Sequence, residues 1–298
     1  MLKDYRDMLR IGLFIITNIA IMVLISIVFS LFGIQGVLAE NGVDLNLTAL
    51  LIYSAVIGFS GALISLFMSK FMAKRSMNVH VITQPQNSNE RWLVDAVKRQ
   101  AKQAGIGMPE VGIFDHTSPN AFATGWNRNN SLVAVSTGLL SHMTKAEVEA
   151  VLAHEISHVA NGDMVTMTLL QGVINTFVVF LSRIIGHIVD RVVFKVERGH
   201  GPAYWIVSIV AQVILGILAQ IIVMWFSRYR EYRADAGAGK LVGNRNMIAA
   251  LQRLKTNPDD EGLPTEMSAL AINGGSIKAL FSSHPPLDDR IKALQQPR

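Results

Sequence analysis

The chain has 298 residues, 50% of them hydrophobic and only 16% charged, with a formal net charge of +5. The mean hydropathy is +0.35, which excludes intrinsic disorder and is too apolar for an ordinary water-soluble domain, where about a quarter of residues are charged. There is no cysteine, so disulfide frameworks, thiol nucleophiles and thiolate metal sites are excluded, and any metal must be held by His, Asp or Glu.

Four stretches lack Asp, Glu, Lys and Arg: Ile11 to Ala39, Leu45 to Ser69, Met164 to Ser182, and Gly201 to Ser227. They predict membrane helices at about 11–34, 49–69, 164–189 and 203–226, close to the roughly 20 residues a bilayer requires. Val37 and Ala39 offer a small-residue cleavage site, but the first stretch is far longer than the ~7–15 residues of a signal sequence, so it reads as an uncleaved anchor. Lys3, Arg6 and Arg10 precede that span, and Lys70, Lys74 and Arg75 follow the second. The connection between them carries Glu40 and Asp44 and no basic residue. Both ends of this hairpin are therefore expected in the cytoplasm. Arg191, Lys195 and Arg198 lie between the third and fourth stretches, which argues against full crossing by that pair. Either way its two ends share one side. Gly33, Gly58, Gly61, Gly172 and Gly216 read as close-packing sites. Arg183 and His187, four apart in the third stretch, are close enough to its end to snorkel.

The segment 76–163 has globular composition. A strand is expected at Val79–Ile82, then a helix capped by Asn89, with Trp92, Leu93, Ala96 and Val97 as its apolar face and Gly105 as its stop. Val111–Phe114, Asn120–Thr124 and Ser131–Ser136 read as strands, the last two joined by the turn-rich Asn127–Asn130. Thr144 opens a helix, with Glu147 completing a capping box and Asn161–Gly162 ending it. Asp163 can cap the helix that follows. The segment 228–298 reads as mostly helical, with turns at Asn257–Asp260 and Gly274.

Within the Thr144 helix lies His154-Glu155-Ile156-Ser157-His158. Histidines four apart share one helix face and can reach a single ion. Glu155 points to the same cleft, where it can take a proton from an attacking water and return it to a leaving amine. A catalytic zinc takes three protein ligands and keeps an open position. With no cysteine, the best third candidate is Glu231 in Arg230-Glu231-Tyr232-Arg233-Ala234-Asp235. His158 stands just before the third stretch and Glu231 just after the fourth, so an antiparallel hairpin brings them to the same membrane face. Asp235, one turn on, can accept the free ring N–H of a ligand histidine. The alternative makes Glu231 and Asp235 solvated partners of Arg228, Arg230 and Arg233.

The four hydrophobic segments, the His154–His158 motif, Glu231 to Asp235, Asn120-Ala121-Phe122-Ala123-Thr124-Gly125 and His284-Pro285-Pro286-Leu287 together resemble the HtpX family of membrane-bound zinc endopeptidases, distant kin of CAAX prenyl endopeptidases. The likeness covers almost the whole chain. It implies a bacterial inner-membrane location, a cytosolic active site, and a role in membrane-protein quality control and stress response. It also implies one zinc per subunit held by His154, His158 and Glu231, with Glu155 as catalytic base. The resemblance further suggests Asn120, Ala121, Phe122 and Ala123 as an edge that pairs with extended substrate, against the reading of an ordinary half-buried strand. His284 is either a fourth ligand or oxyanion helper, or a simple loop histidine. Arg290 reads as a surface or capping charge.

The expected fold is thus an α-helical polytopic membrane protein with a small α+β cytosolic, zincin-like portion. It divides into an N-terminal hairpin (1–75), a catalytic segment (76–163), a second hairpin (164–227) and a C-terminal segment bearing the third ligand (228–298). Expected partners are membrane or unfolded polypeptides and the bilayer, and no nucleic acid. Two rivals remain. A metal-stabilised peptide-binding scaffold would need the ligands but not Glu155. A transporter using Arg183 and His187 would need broken helices in matching repeats, and no repeat is visible.

Overall fold

The computed structural model describes residues 46–196, 199–256 and 282–296. The expected first span and the turns at Asn257–Asp260 and Gly274 lie outside the described residues. In chain order the elements are α1 (Leu47–Ser76), β1 (His80–Val81), α2 (Ser88–Ala104), β2 (Glu110–Phe114), β3 (Ala121–Asn127), β4 (Asn130–Ser136), α3 (Thr137–His142), α4 (Lys145–Asn161), α5 (Asp163–Ile188), α6 (Pro202–Val242), α7 (Asn244–Thr256) and α8 (Leu287–Gln295).

Among the described residues, three helices are long and apolar enough to cross a membrane: α1, α5 with its π-helical continuation to Val193, and α6. At 1.5 Å per residue the 41 residues of α6 extend about 60 Å, twice the hydrocarbon thickness. The sequence reading ended the fourth span near 226 and began a separate polar segment. The helix instead runs unbroken through Arg228, Glu231 and Asp235, with no Pro or Gly between Phe226 and Gly237 to stop it.

Among the described residues, one compact unit comprises 46–61 together with 171–219. In it Gly58 allows α1 to touch α5: a Cβ there would lie 2.6 Å from the backbone nitrogen of Thr176. Gly172 packs equally closely, against Phe59, whereas among the described residues nothing comes within 4 Å of a Cβ at Gly61 or Gly216. Arg183 finds aromatic faces, with its guanidinium 5.7 Å from the Tyr204 ring centre and 5.4 Å from that of Trp205. His187 is buried beside His200 and Tyr204.

The second unit comprises 62–170 with the described residues 220–256 and 282–296. Its sheet has the order β1-β2-β4-β3, with β2 and β4 parallel and the other pairs antiparallel. β4 is central, and Ser131 to Ser136 are all buried. Leu93, Ala96 and Val97 of α2, Val148, Leu152 and Ile156 of α4, Met247 and Leu251 of α7, and Ile291 and Leu294 of α8 join it in one core. The Thr144–Glu147 capping box forms as expected. The cap of α2 is Asn87 rather than Asn89, because Asn87 stands three residues before Glu90 and its side chain accepts the Glu90 N–H. β1 is shorter than expected, at two residues. β3 occupies one edge of the sheet.

Candidate active site

The site is built from helices α4, α6 and α8. α4 ends at Gly162, whose left-handed φ of 70° turns the chain directly into α5 at Asp163. His154 and His158 stand one turn apart on α4, with ring planes at 90°. Their Nε2 atoms are 3.1 Å apart; that of His154 lies 3.3 Å from Glu231 Oε2 and that of His158 3.2 Å from Glu231 Oε1. Three ligands each about 2.0–2.1 Å from one ion at near-tetrahedral angles would stand roughly 3.3 Å from one another. Each nitrogen thus faces a Glu231 oxygen at the separation that two ligands of one ion require, one donor atom from each of the three residues lies within 4.8 Å of the others, and the His, His, carboxylate set suits zinc.

The outer nitrogens of both rings are fixed. His154 Nδ1 donates to Asp235 at 2.9 Å, as the sequence anticipated, and His158 Nδ1 donates to Asp163 at 2.7 Å. These bonds select the tautomer that leaves each Nε2 lone pair facing Glu231 and make the imidazoles stronger donors. Burial opposes a charge on either ring, yet the bonds to Asp235 and Glu231 raise the proton affinity of His154. Those to Asp163 and Glu231 push His158 up to about 9. Glu155 is half-buried, and its charge acts on both His158 and Arg290.

Two residues have roles here that sequence reasoning missed. Asp163 was expected to cap α5; its carboxylate turns back to His158 instead, because the Gly162 turn leaves it one turn beyond that histidine. Arg290 was expected at the surface, but it is 6% exposed and grips Asp235 through two bonds of 2.8 and 2.6 Å. It also lies 3.3 Å from Glu231. A signal was present: Leu287, Arg290, Ile291 and Leu294 form one i, i+3, i+4, i+7 stripe, so the arginine occupies a core position of α8. His284 donates to Glu231 at 2.8 Å, which brings it to the site. Ala121 to Ala123 lie on the edge strand, while Asn120 just precedes it and bonds to Ser136.

Gly237 sets the spacing of the two ligand-bearing helices. A Cβ at this position of α6 would lie 2.5 Å from Ser157 Oγ and 2.8 Å from Ser157 Cβ on α4.

Two histidines and a glutamate between adjoining helices, with a free glutamate beside the first histidine and apolar helices leading away, define a membrane-associated metallopeptidase site. Residues 87–298 match Peptidase family M48. Protease HtpX of Pseudoalteromonas atlantica is 75% identical over 289 residues, covering 97% of this chain and 100% of that one. Protease HtpX of Thioalkalivibrio sulfidiphilus is 60% identical over 291 residues, covering 97% and 99%. The crystal structure of S. mikatae Ste24p shares the fold, with a TM-score of 0.61 at 19% identity over 93% of this chain and 67% of that one. The chain belongs to the HtpX proteases of Peptidase family M48. It is a membrane-bound metalloprotease, and its substrates are polypeptides.

Proposed function

We propose that the protein is a zinc endopeptidase that cuts membrane or misfolded proteins at the cytosolic face of a bacterial inner membrane, which it crosses several times. His154, His158 and Glu231 hold one zinc per subunit. The convergence of the two Nε2 atoms, 3.1 Å apart and each 3.2–3.3 Å from a Glu231 oxygen, is the observation that carries this reading. When bound, the ion supplies Lewis acidity, polarising a scissile carbonyl and making water easier to deprotonate. Glu155 takes the proton from the attacking water, holds it on its carboxylate, and delivers it to the departing amine. Asp235 and Asp163 keep the two imidazoles in orientation, and Arg290 holds Asp235 in place. His284, beside Glu231 and partly exposed, is positioned to assist as a hydrogen-bond donor to the reacting carbonyl. The edge strand from Ala121 supplies main-chain hydrogen bonds to an extended substrate, with Asn120 at its entrance.

The cytosolic orientation is supported by Lys70, Lys74 and Arg75 at the end of α1 and by Arg228, Arg230 and Arg233 where α6 leaves its apolar stretch. A catalytic portion at 76–163 and 228–298, flanked by hairpins at 1–75 and 164–227, agrees with that charge distribution. The role in membrane-protein quality control is what the resemblance to the HtpX proteases implies.

Protein purified in detergent with a chelator, then supplied with zinc and denatured casein, tests the reading. Wild type should cut and Glu155→Gln should not. If both bind zinc and neither cuts unfolded or membrane-anchored reporters, the peptide-binding scaffold takes its place.

A further inference from the structure

The last residues of the edge strand carry a feature that neither metal binding nor main-chain pairing needs. Trp126, 41% exposed, faces Phe67 of α1, which is 60% exposed, with ring centres 6.0 Å apart. Between Gly125 and Asn127 the pairing of β3 with β4 slips by a bulge. Gly125 has a φ of 144°, and a Cβ there would lie 2.3 Å from the Asn130 carbonyl oxygen, so the bulge requires glycine. Bulges beside active sites commonly serve to re-aim one side chain.

This end of β3 lies where apolar helices begin. Lys70 and Lys74, in the last turns of α1, bind Glu110 at 2.7 and 2.6 Å, and Lys70 also donates to Asn130 at 2.6 Å. Phe67 sits one turn before Lys70, on the apolar side of that basic boundary. At the other side of the turn, Arg128 lies beside Gly162, its Nη2 3.8 Å from where a Cβ would stand, at the junction of α4 and α5. β3 also packs against α4, the helix that carries His154 and His158. One strand thus runs from the metal-binding helix to the basic end of α1.

We propose that Trp126 and Phe67 form a subsite for the apolar side chain of a substrate at the point where its backbone leaves the membrane. The preferred substrates are then extended segments that continue into a membrane helix within about a strand's length of the cut, seven residues or roughly 23 Å along β3. This rests on the edge-strand reading above. The aromatic faces supply apolar contact area, and a residue still at the membrane border supplies its match, whereas a fully soluble segment brings nothing to that height.

The test compares a single-span reporter, with Leu at the membrane border and a cleavable segment beyond it, and a soluble peptide of the same cleavable sequence. The enzyme is reconstituted in phospholipid vesicles. Trp126→Ala should lower the anchored-to-soluble ratio of kcat/KM about tenfold, and Trp126→Phe should restore part of it. Replacing the border Leu of the reporter by Ser should slow wild type by a similar factor and barely affect Trp126→Ala. A pair that meets only lipid, or only stabilises the fold, gives no such coupling: an unchanged ratio, or equal losses on both substrates, overturns the subsite. If wild type fails to cut even the soluble peptide, the edge-strand reading falls and the subsite with it; cutting without coupling refutes the subsite alone.

Discussion

Gly237→Ala is expected to cost the protein its metal before its fold. The added methyl would stand 2.8 Å from Ser157 Cβ and 2.5 Å from Ser157 Oγ, so α4 and α6 must separate by about 0.6 Å to regain ordinary contact. Glu231 is on α6 and both histidines are on α4. The 3.2 and 3.3 Å separations of Glu231 from the two histidines therefore widen by several tenths of an ångström, beyond the ±0.2 Å or so that coordination distances tolerate. Overpacking of this kind costs about 1–3 kcal/mol, or 5- to 150-fold in zinc affinity if all of it falls on the bound state. Helix propensity alone would make Ala the better residue by about 1 kcal/mol, so any loss isolates the clash. Ser157→Gly removes both offending atoms and leaves Ser157 Cα as the nearest neighbour, at 3.9 Å. The double variant should thus bind zinc more tightly than Gly237→Ala alone, while Ser157→Ala, which keeps the Cβ, should rescue less. Competition against a chromophoric chelator in detergent measures all four proteins. Unweakened zinc binding by Gly237→Ala, or a double variant no better than the single, would refute the reasoning.

Three further outcomes follow from the geometry. Asp163→Asn weakens the hold on His158 Nδ1 and should lower zinc affinity by about 10- to 100-fold, measured by the same competition; an unchanged affinity would return Asp163 to a capping role. Arg290→Ala leaves Asp235 buried without its two-bonded partner, a loss of roughly 3–5 kcal/mol, visible as a large drop in thermal midpoint. Arg290→Lys should recover only part of it, since an ammonium cannot make the paired contact. Glu110 is held below its usual range: burial opposes its charge, but Lys70 and Lys74 outweigh it. A carboxylate lowered on folding stabilises above its unfolded pKa of 4.5 and loses that contribution as pH falls through the lower folded value. Glu110→Gln should therefore flatten the fall in thermal midpoint below about pH 4.5, and an unaltered acid limb would exclude the pair as its source.

The parts of the fold legible in the sequence were those with a local cause. The capping box at Thr144, the Gly105 and Gly162 stops, the continuously apolar centre of the Ser131–Ser136 strand and the long apolar runs each follow from a few adjacent residues. The four central site residues were legible for a similar reason. A four-residue helical spacing identifies His154 and His158, and hairpin connectivity brings Glu231 back to them. Asp163 and Arg290 were missed because their partners are set by tertiary packing. Asp163 sits at a position where a helix cap is the ordinary local explanation, and a glycine turn redirects it. Arg290 is balanced by Asp235, 55 residues away, so no short window contains both charges. The continuity of α6 was missed because a change from apolar to charged residues marks a change of solvent, and a helix can pass through it unbroken. Likewise, the proximity of Gly237 to Ser157 depends on how two helices cross, which neither helix encodes alone.

The most direct test of the account separates holding the metal from using it. Zinc per chain, measured by inductively coupled plasma mass spectrometry after gel filtration, is set beside casein cleavage for wild type, Glu155→Gln and Glu231→Gln. The account predicts one zinc and cleavage for wild type, one zinc and no cleavage for Glu155→Gln, and neither for Glu231→Gln. Cleavage by Glu155→Gln at the wild-type rate, or a full zinc complement in Glu231→Gln, would contradict it.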